Sequence, residues 1–150
     1  MRQIRKIFVG TLLLVLGAVS LSYAHCEIPC GIYDDSARIA EMREHIKTIE
    51  RSMNQIHAIE KDLEKGDAHD YNQLVRWINN KEDHAGKLQH IVSQYFMTQR
   101  ISTDDEKYAE KISVLHQILV GAMKCKQTVD TQHVKNLREL VDRFEGLYMK

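Results

Sequence analysis

Two thiols, an imidazole and a proline crowd into one short stretch of the chain, His25-Cys26-Glu27-Ile28-Pro29-Cys30-Gly31-Ile32-Tyr33. Pro29-Cys30-Gly31 is composed for a turn, so the sulfurs of Cys26 and Cys30 can be brought together. In an oxidising compartment the same spacing suits a small disulfide, which is the plainest alternative to metal binding. The pair is not the Cys-x-x-Cys of thiol oxidoreductases, and no Cys-x-x-Cys-His for c-type haem occurs.

What lies upstream changes the chemistry on offer. Arg2, Arg5 and Lys6 make a basic start, Phe8 to Leu21 is almost continuously apolar, and Ser22-Tyr23-Ala24 sets small residues around a signal-peptidase cut. The apolar run is short for a bilayer span and no charged stop follows it. The sequence therefore predicts a leader over 1–24, cleaved after Ala24, with export to a periplasm or to the outside and no membrane segment afterwards.

Cleavage there gives His25 a free α-amine. That amine, the amide nitrogen of Cys26 and the sulfur of Cys26 form consecutive small chelate rings about one ion, which enforce a near-planar arrangement. Cys30 can close the fourth corner, leaving the His25 imidazole to bind from above. Two thiolates and two nitrogens in a plane suit Ni(II) or Cu(II), whereas Zn(II) prefers a tetrahedron.

The string HCEIPCGIY resembles the nickel hook of the nickel superoxide dismutases, His-Cys-x-x-Pro-Cys-Gly-x-Tyr at the mature N-terminus. Every fixed position is met, and it is met at the cut that the leader sets independently. The resemblance implies a nickel ion as cofactor and superoxide as substrate, disproportionated to dioxygen and hydrogen peroxide by Ni(II)/Ni(III) cycling. It implies that His25 binds through its amine and, when the metal is oxidised, its imidazole. Cys26 would bind through amide nitrogen and thiolate, and Cys30 through thiolate. Pro29 resembles the family proline that turns the hook through a cis bond. Tyr33 is similar to the tyrosine that shapes access at the open face of the metal.

Further along, Ser93-Gln94-Tyr95-Phe96 is similar to a Tyr-Phe pair on the family's second long helix, which makes Tyr95 a second tyrosine candidate. Glu41 is the candidate for a carboxylate on the first helix that helps hold the axial histidine. Its arginine partner is not singled out; the matching neighbourhood holds Arg76, Asn79 and Asn80. The family forms hexamers, so the resemblance implies a homo-oligomer. A non-catalytic exported nickel- or copper-binding bundle using the same hook remains the alternative.

These residues need a scaffold. The chain has 150 residues, 43% hydrophobic and 28% charged, which is ordinary for one soluble domain. A formal net charge of zero leaves no footprint for nucleic acid. One Pro and seven Gly disfavour an all-β fold. Four segments carry apolar residues in steps of three and four. The first runs through Ile39, Met42, Ile46, Ile49, Met53, Ile56 and Leu63, with Asp34, Asp35 and Ser36 as capping oxygens before it and Lys65-Gly66 to close it. The second runs from about Asp70 to Thr98 with Leu74, Ile78, Ala85, Leu88, Val92 and Tyr95 inward. A third begins at Thr103 to Asp105 and carries Tyr108, Ile112, Leu115, Leu119, Ala122 and Val129; the fourth carries Val134, Leu137, Val141, Phe144 and Tyr148.

Short connections make neighbours antiparallel, so the expectation is all-α: an up-down-up-down four-helix bundle over 34–150, with the metal-binding hook at 25–33. No Glu-x-x-His pair for a ferritin-like site occurs. His45, His57, His69, His84, His90, His116 and His133 share no ligand spacing and read as surface or boundary residues. Cys125 reads as a buried free thiol.

Overall fold

The structure, a computed structural model, describes residues 32–149. Helix α1 spans Asp35–Glu60, α2 Ala68–His90, α3 Tyr108–Gln127 and α4 Gln132–Tyr148. Among the described residues there is no strand. Each helix packs on the next in chain order, and α4 packs back on α1, which closes an all-α four-helix bundle as the periodicity predicts. No helix of the described residues is long and apolar enough to cross a membrane.

Local sequence explains the helix boundaries. Asp34 caps α1 by accepting from the Ala37 N–H at 2.9 Å, and Ile39, Met42, Ile46, Ile49, Met53 and Ile56 are all buried along one stripe. Asp67 and Asp70 form a reciprocal capping box at the start of α2. The buried ammonium of Lys81 donates to the carbonyls of Cys125 and Lys126, which satisfies acceptors that α3 leaves open at its end.

The second helix does not stop at His90. Ile91–Arg100 continues it as a wider π-helix, in which the Ile101 N–H donates five residues back to Phe96 at 3.0 Å. The side chains of Thr98 and Gln99 likewise reach back five residues, to the carbonyls of Ser93 and Gln94. In an α-helix two residues five apart, such as Tyr95 and Arg100, would point about 140° apart. The wider winding brings both onto one side, where both grip Asp35.

Three details depart from the sequence reading. Buried residues of α2 begin only at Lys81, so Ile78 is 38% exposed and joins Tyr71 and Val75 in an uncovered apolar stripe. Tyr108, at the first position of α3, is also exposed rather than inward, and Val129 lies beyond the end of α3, packed against the core from the turn. Lys65-Gly66 closes a short 3₁₀ turn, Leu63–Lys65, because α1 has already ended at Glu60.

The end of the bundle near the start of α1 is filled by aromatics. Phe96 and Phe144 are fully buried with ring centroids 4.9 Å apart, and Tyr148 stacks on Phe144 at 5.3 Å. Truncating Phe96 to Ala should therefore lower unfolding free energy by about 3–5 kcal/mol, measured by urea denaturation. A loss well under 1 kcal/mol would mean that this end of the core is not packed as described.

Candidate functional site

The ligand candidates His25, Cys26 and Cys30, together with Pro29, lie outside the described residues. The description begins at their C-terminal edge, where Tyr33 precedes the Asp34 cap of α1. Tyr33 is 39% exposed. Its ring meets Tyr95 edge-on at 5.8 Å, and the Arg100 guanidinium lies 4.3 Å from its centroid. A cation over a partly exposed ring is worth about 1 kcal/mol, enough to bias one ring orientation. The Tyr33 hydroxyl donates a long hydrogen bond, 3.5 Å, to the Gln99 side-chain carbonyl. The structure thus brings together Tyr33 and Tyr95, two of the tyrosines singled out in the sequence.

Asp35, the first residue of α1, organises this corner. Its Oδ1 accepts from the Tyr95 hydroxyl at 2.7 Å and from Arg100 Nε at 2.9 Å. Its Oδ2 accepts from Arg100 Nη2 and from the Tyr148 hydroxyl, both at 2.8 Å. Two-pronged guanidinium–carboxylate pairing is both strong and directional. Arg100 first, and then the two phenols, hold the Asp35 carboxyl down at about 2, against the opposing effect of burial. Its place in the first helical turn also suits a negative charge. Conversely, burial and the neighbouring carboxylate push the Tyr148 phenol up to about 12 and that of Tyr95 upward too. Both phenols therefore stay protonated donors.

Glu41 is placed one step away. It pairs with Arg38 at 2.6 Å, and Arg38 in turn lies 5.5 Å from the Tyr95 ring centroid. The carboxylate that touches the tyrosines is Asp35, which the sequence reading took for a cap. Of the residues in the arginine neighbourhood, Arg76 and Asn79 are exposed on α2, and Asn80 donates to the Ser52 hydroxyl at 2.9 Å. The guanidinium on Tyr33 belongs to Arg100. Its five-residue spacing from Tyr95 carries a signal only once the π winding is known.

Beyond Glu41 along α1, His45 faces His84 of α2. Their Nδ1 atoms are 3.0 Å apart, and Glu41 lies 3.9 Å from His45 Nε2. His84 is a boundary residue as read from the sequence, whereas His45 is buried; their pairing was not foreseen, because contact between neighbouring helices is invisible to a one-helix pattern. One ring donates and the other accepts, so the pair is built for neutral imidazoles. Burial, then mutual repulsion with His84, lowers the His45 pKa; burial, then Lys87, lowers that of His84. Glu41, Glu44 and Asp83 oppose these effects without reversing them.

Among the described residues no group of three or more His, Cys, Asp or Glu side chains could hold a metal. Cys125 is free and buried, as expected, and burial pushes its thiol up to about 11. A thiol so reluctant to ionise is a poor ligand. The other two cysteines, Cys26 and Cys30, lie outside the described residues.

A family model described as nickel-containing superoxide dismutase matches residues 20–150, a span that takes in the hook and the whole bundle. No curated protein and no solved structure matches the chain.

The His45–His84 pair gives stability a definite pH dependence. Both groups hold protons less tightly folded than unfolded, so the unfolded chain takes up protons first as pH falls below about 6.5. The pair's contribution is present above that value and is lost as pH drops through the lowered folded values. Urea midpoints should fall between pH 7.5 and pH 5.5, and the fall should shrink when both histidines are replaced by Leu. An unchanged slope in the double variant would remove the pair as its source.

Proposed function

We propose that this chain, which belongs to the nickel-containing superoxide dismutase family, is an exported enzyme that converts two superoxide anions and two protons to dioxygen and hydrogen peroxide. The observation that carries the reading is the family match across 131 of its residues, hook sequence included. Nickel is the family's metal. When bound, it supplies a one-electron couple that anionic sulfur and nitrogen donors bring within reach of superoxide.

The chain's own residues divide the remaining work. His25 would hold the metal through its α-amine and imidazole, Cys26 through its amide nitrogen and thiolate, and Cys30 through its thiolate. That set needs the free amine created by cleavage after Ala24, which the leader sequence supports. Pro29 would turn the hook. Only Gly31 and Ile32 separate Cys30 from Tyr33 in the chain. Tyr33 itself is anchored on Arg100 and Tyr95. Tyr33 and Tyr95 would shape access to the metal and exclude larger molecules, with Asp35 keeping Tyr95 protonated. Glu41, paired with Arg38, would act at one remove.

The family's hexameric habit extends to this chain as part of the same proposal. The uncovered stripe of Tyr71, Val75 and Ile78 on α2 supports an assembly that buries it.

Cys26→Ser and Cys30→Ser should each abolish nickel binding and superoxide turnover while far-UV circular dichroism stays helical. Cys125→Ser should bind nickel normally. Elemental analysis and a superoxide assay on processed protein check this. Full nickel occupancy and turnover in either hook variant would refute the ligand set; nickel binding by the wild type with no turnover would favour the non-catalytic reading.

A further inference from the structure

Arg100 carries a full positive charge against Tyr33, yet it is poorly built for attracting an anion. Asp35 neutralises it through two hydrogen bonds, and Glu41 neutralises Arg38, the next cation in this corner. The net local charge of these four groups is zero. What the arrangement does supply is rigidity. Both prongs of the guanidinium are taken by a carboxylate that is itself pinned by the hydroxyls of Tyr95 and Tyr148. The plane of Arg100 is thereby fixed, and its free face lies 4.3 Å from the centre of the Tyr33 ring.

Tyr33 has little else to orient it. It lies outside any helix, and among the described residues its hydroxyl has only the long contact to Gln99. Its second ring contact, the edge-on Tyr95, belongs to the same Asp35 cluster. Among the described residues, the firm restraints on Tyr33 thus trace back to one carboxylate, through Arg100 on the face and Tyr95 on the edge.

We propose that Arg100, locked by Asp35, is a positioning residue for Tyr33: its fixed guanidinium plane sets the orientation in which the tyrosine meets the substrate. The catalytic consequence rests on the function proposed above, whereas the positioning itself does not. Lysine is a compact ammonium that cannot offer both a two-pronged pair and a flat face, so it should not substitute.

The test uses the processed, nickel-loaded protein and three variants, Arg100→Lys, Arg100→Met and Tyr33→Phe. The Tyr33 ring signal, assigned in ¹³C-tyrosine NMR by its disappearance in Tyr33→Phe, should stand away from the random-coil position in the wild type. It should move toward that position in both Arg100 variants. Their kcat should fall on the order of tenfold, as expected when a group at a reaction centre is misplaced. Nickel content should stay unchanged in both, and in the charge-conserving Arg100→Lys so should the ionic-strength dependence of kcat/KM. A Tyr33 signal that stays put in Arg100→Met overturns the proposal. So does an Arg100→Lys variant that behaves as wild type, since that would make charge rather than geometry the point. Nickel-loaded wild type without superoxide turnover, but with the Tyr33 signal moving as described, would overturn the proposed function and leave the positioning intact. Should Arg100→Met not fold, the double variant Asp35→Asn, Arg100→Met removes both charges together and is read in the same way.

Discussion

One carboxylate ties this molecule together at the end that matters. Asp35 stands at the first residue of α1 and accepts four hydrogen bonds, two on each oxygen, from the π-helical end of the second helix and the last residue of α4. A buried or half-buried charge is costly unless it is fully partnered, and here its two phenol partners are fixed by packing. Tyr95 and Tyr148 sit edge-on against the fully buried Phe96, and Tyr148 also stacks on Phe144. The interaction thus converts core packing into a defined geometry for the residues that precede α1.

The scaffold and the chemistry were legible in the sequence for different reasons. Helical stripes repeat many times, so the bundle emerged even where single positions such as Ile78 and Tyr108 were misread. Those two failed because periodicity reports a face and cannot tell whether a neighbouring helix covers it. The family was legible because the string HCEIPCGIY meets every fixed position of its motif. Tyr33 was marked by its place in that motif, and Tyr95 by its similarity to the family's Tyr-Phe pair.

The residues that join the two parts were harder to see. Asp35 looks like any capping carboxylate beside Asp34 and Ser36, and only the three-dimensional meeting of three elements reveals it as a hub. Arg100 lies five residues from Tyr95, a separation that an α-helix would turn to opposite sides. The π winding of Ile91–Arg100 changes that separation from a contradiction into a match. His45 and His84 were hidden in the same way, since their relation crosses from one helix to another. Glu41, chosen for its place on α1, links this pair to Arg38, whose guanidinium reaches the tyrosine corner over the Tyr95 ring.

In the function proposed for this chain, a free α-amine on His25 is the central requirement. The most direct measurement compares two purified forms for nickel content and superoxide turnover, one beginning at His25 and one beginning at Ala24. Chelation through the terminal amine predicts a full nickel complement and rapid turnover in the first form and neither in the second. Equal activity in the form that keeps Ala24 would contradict it.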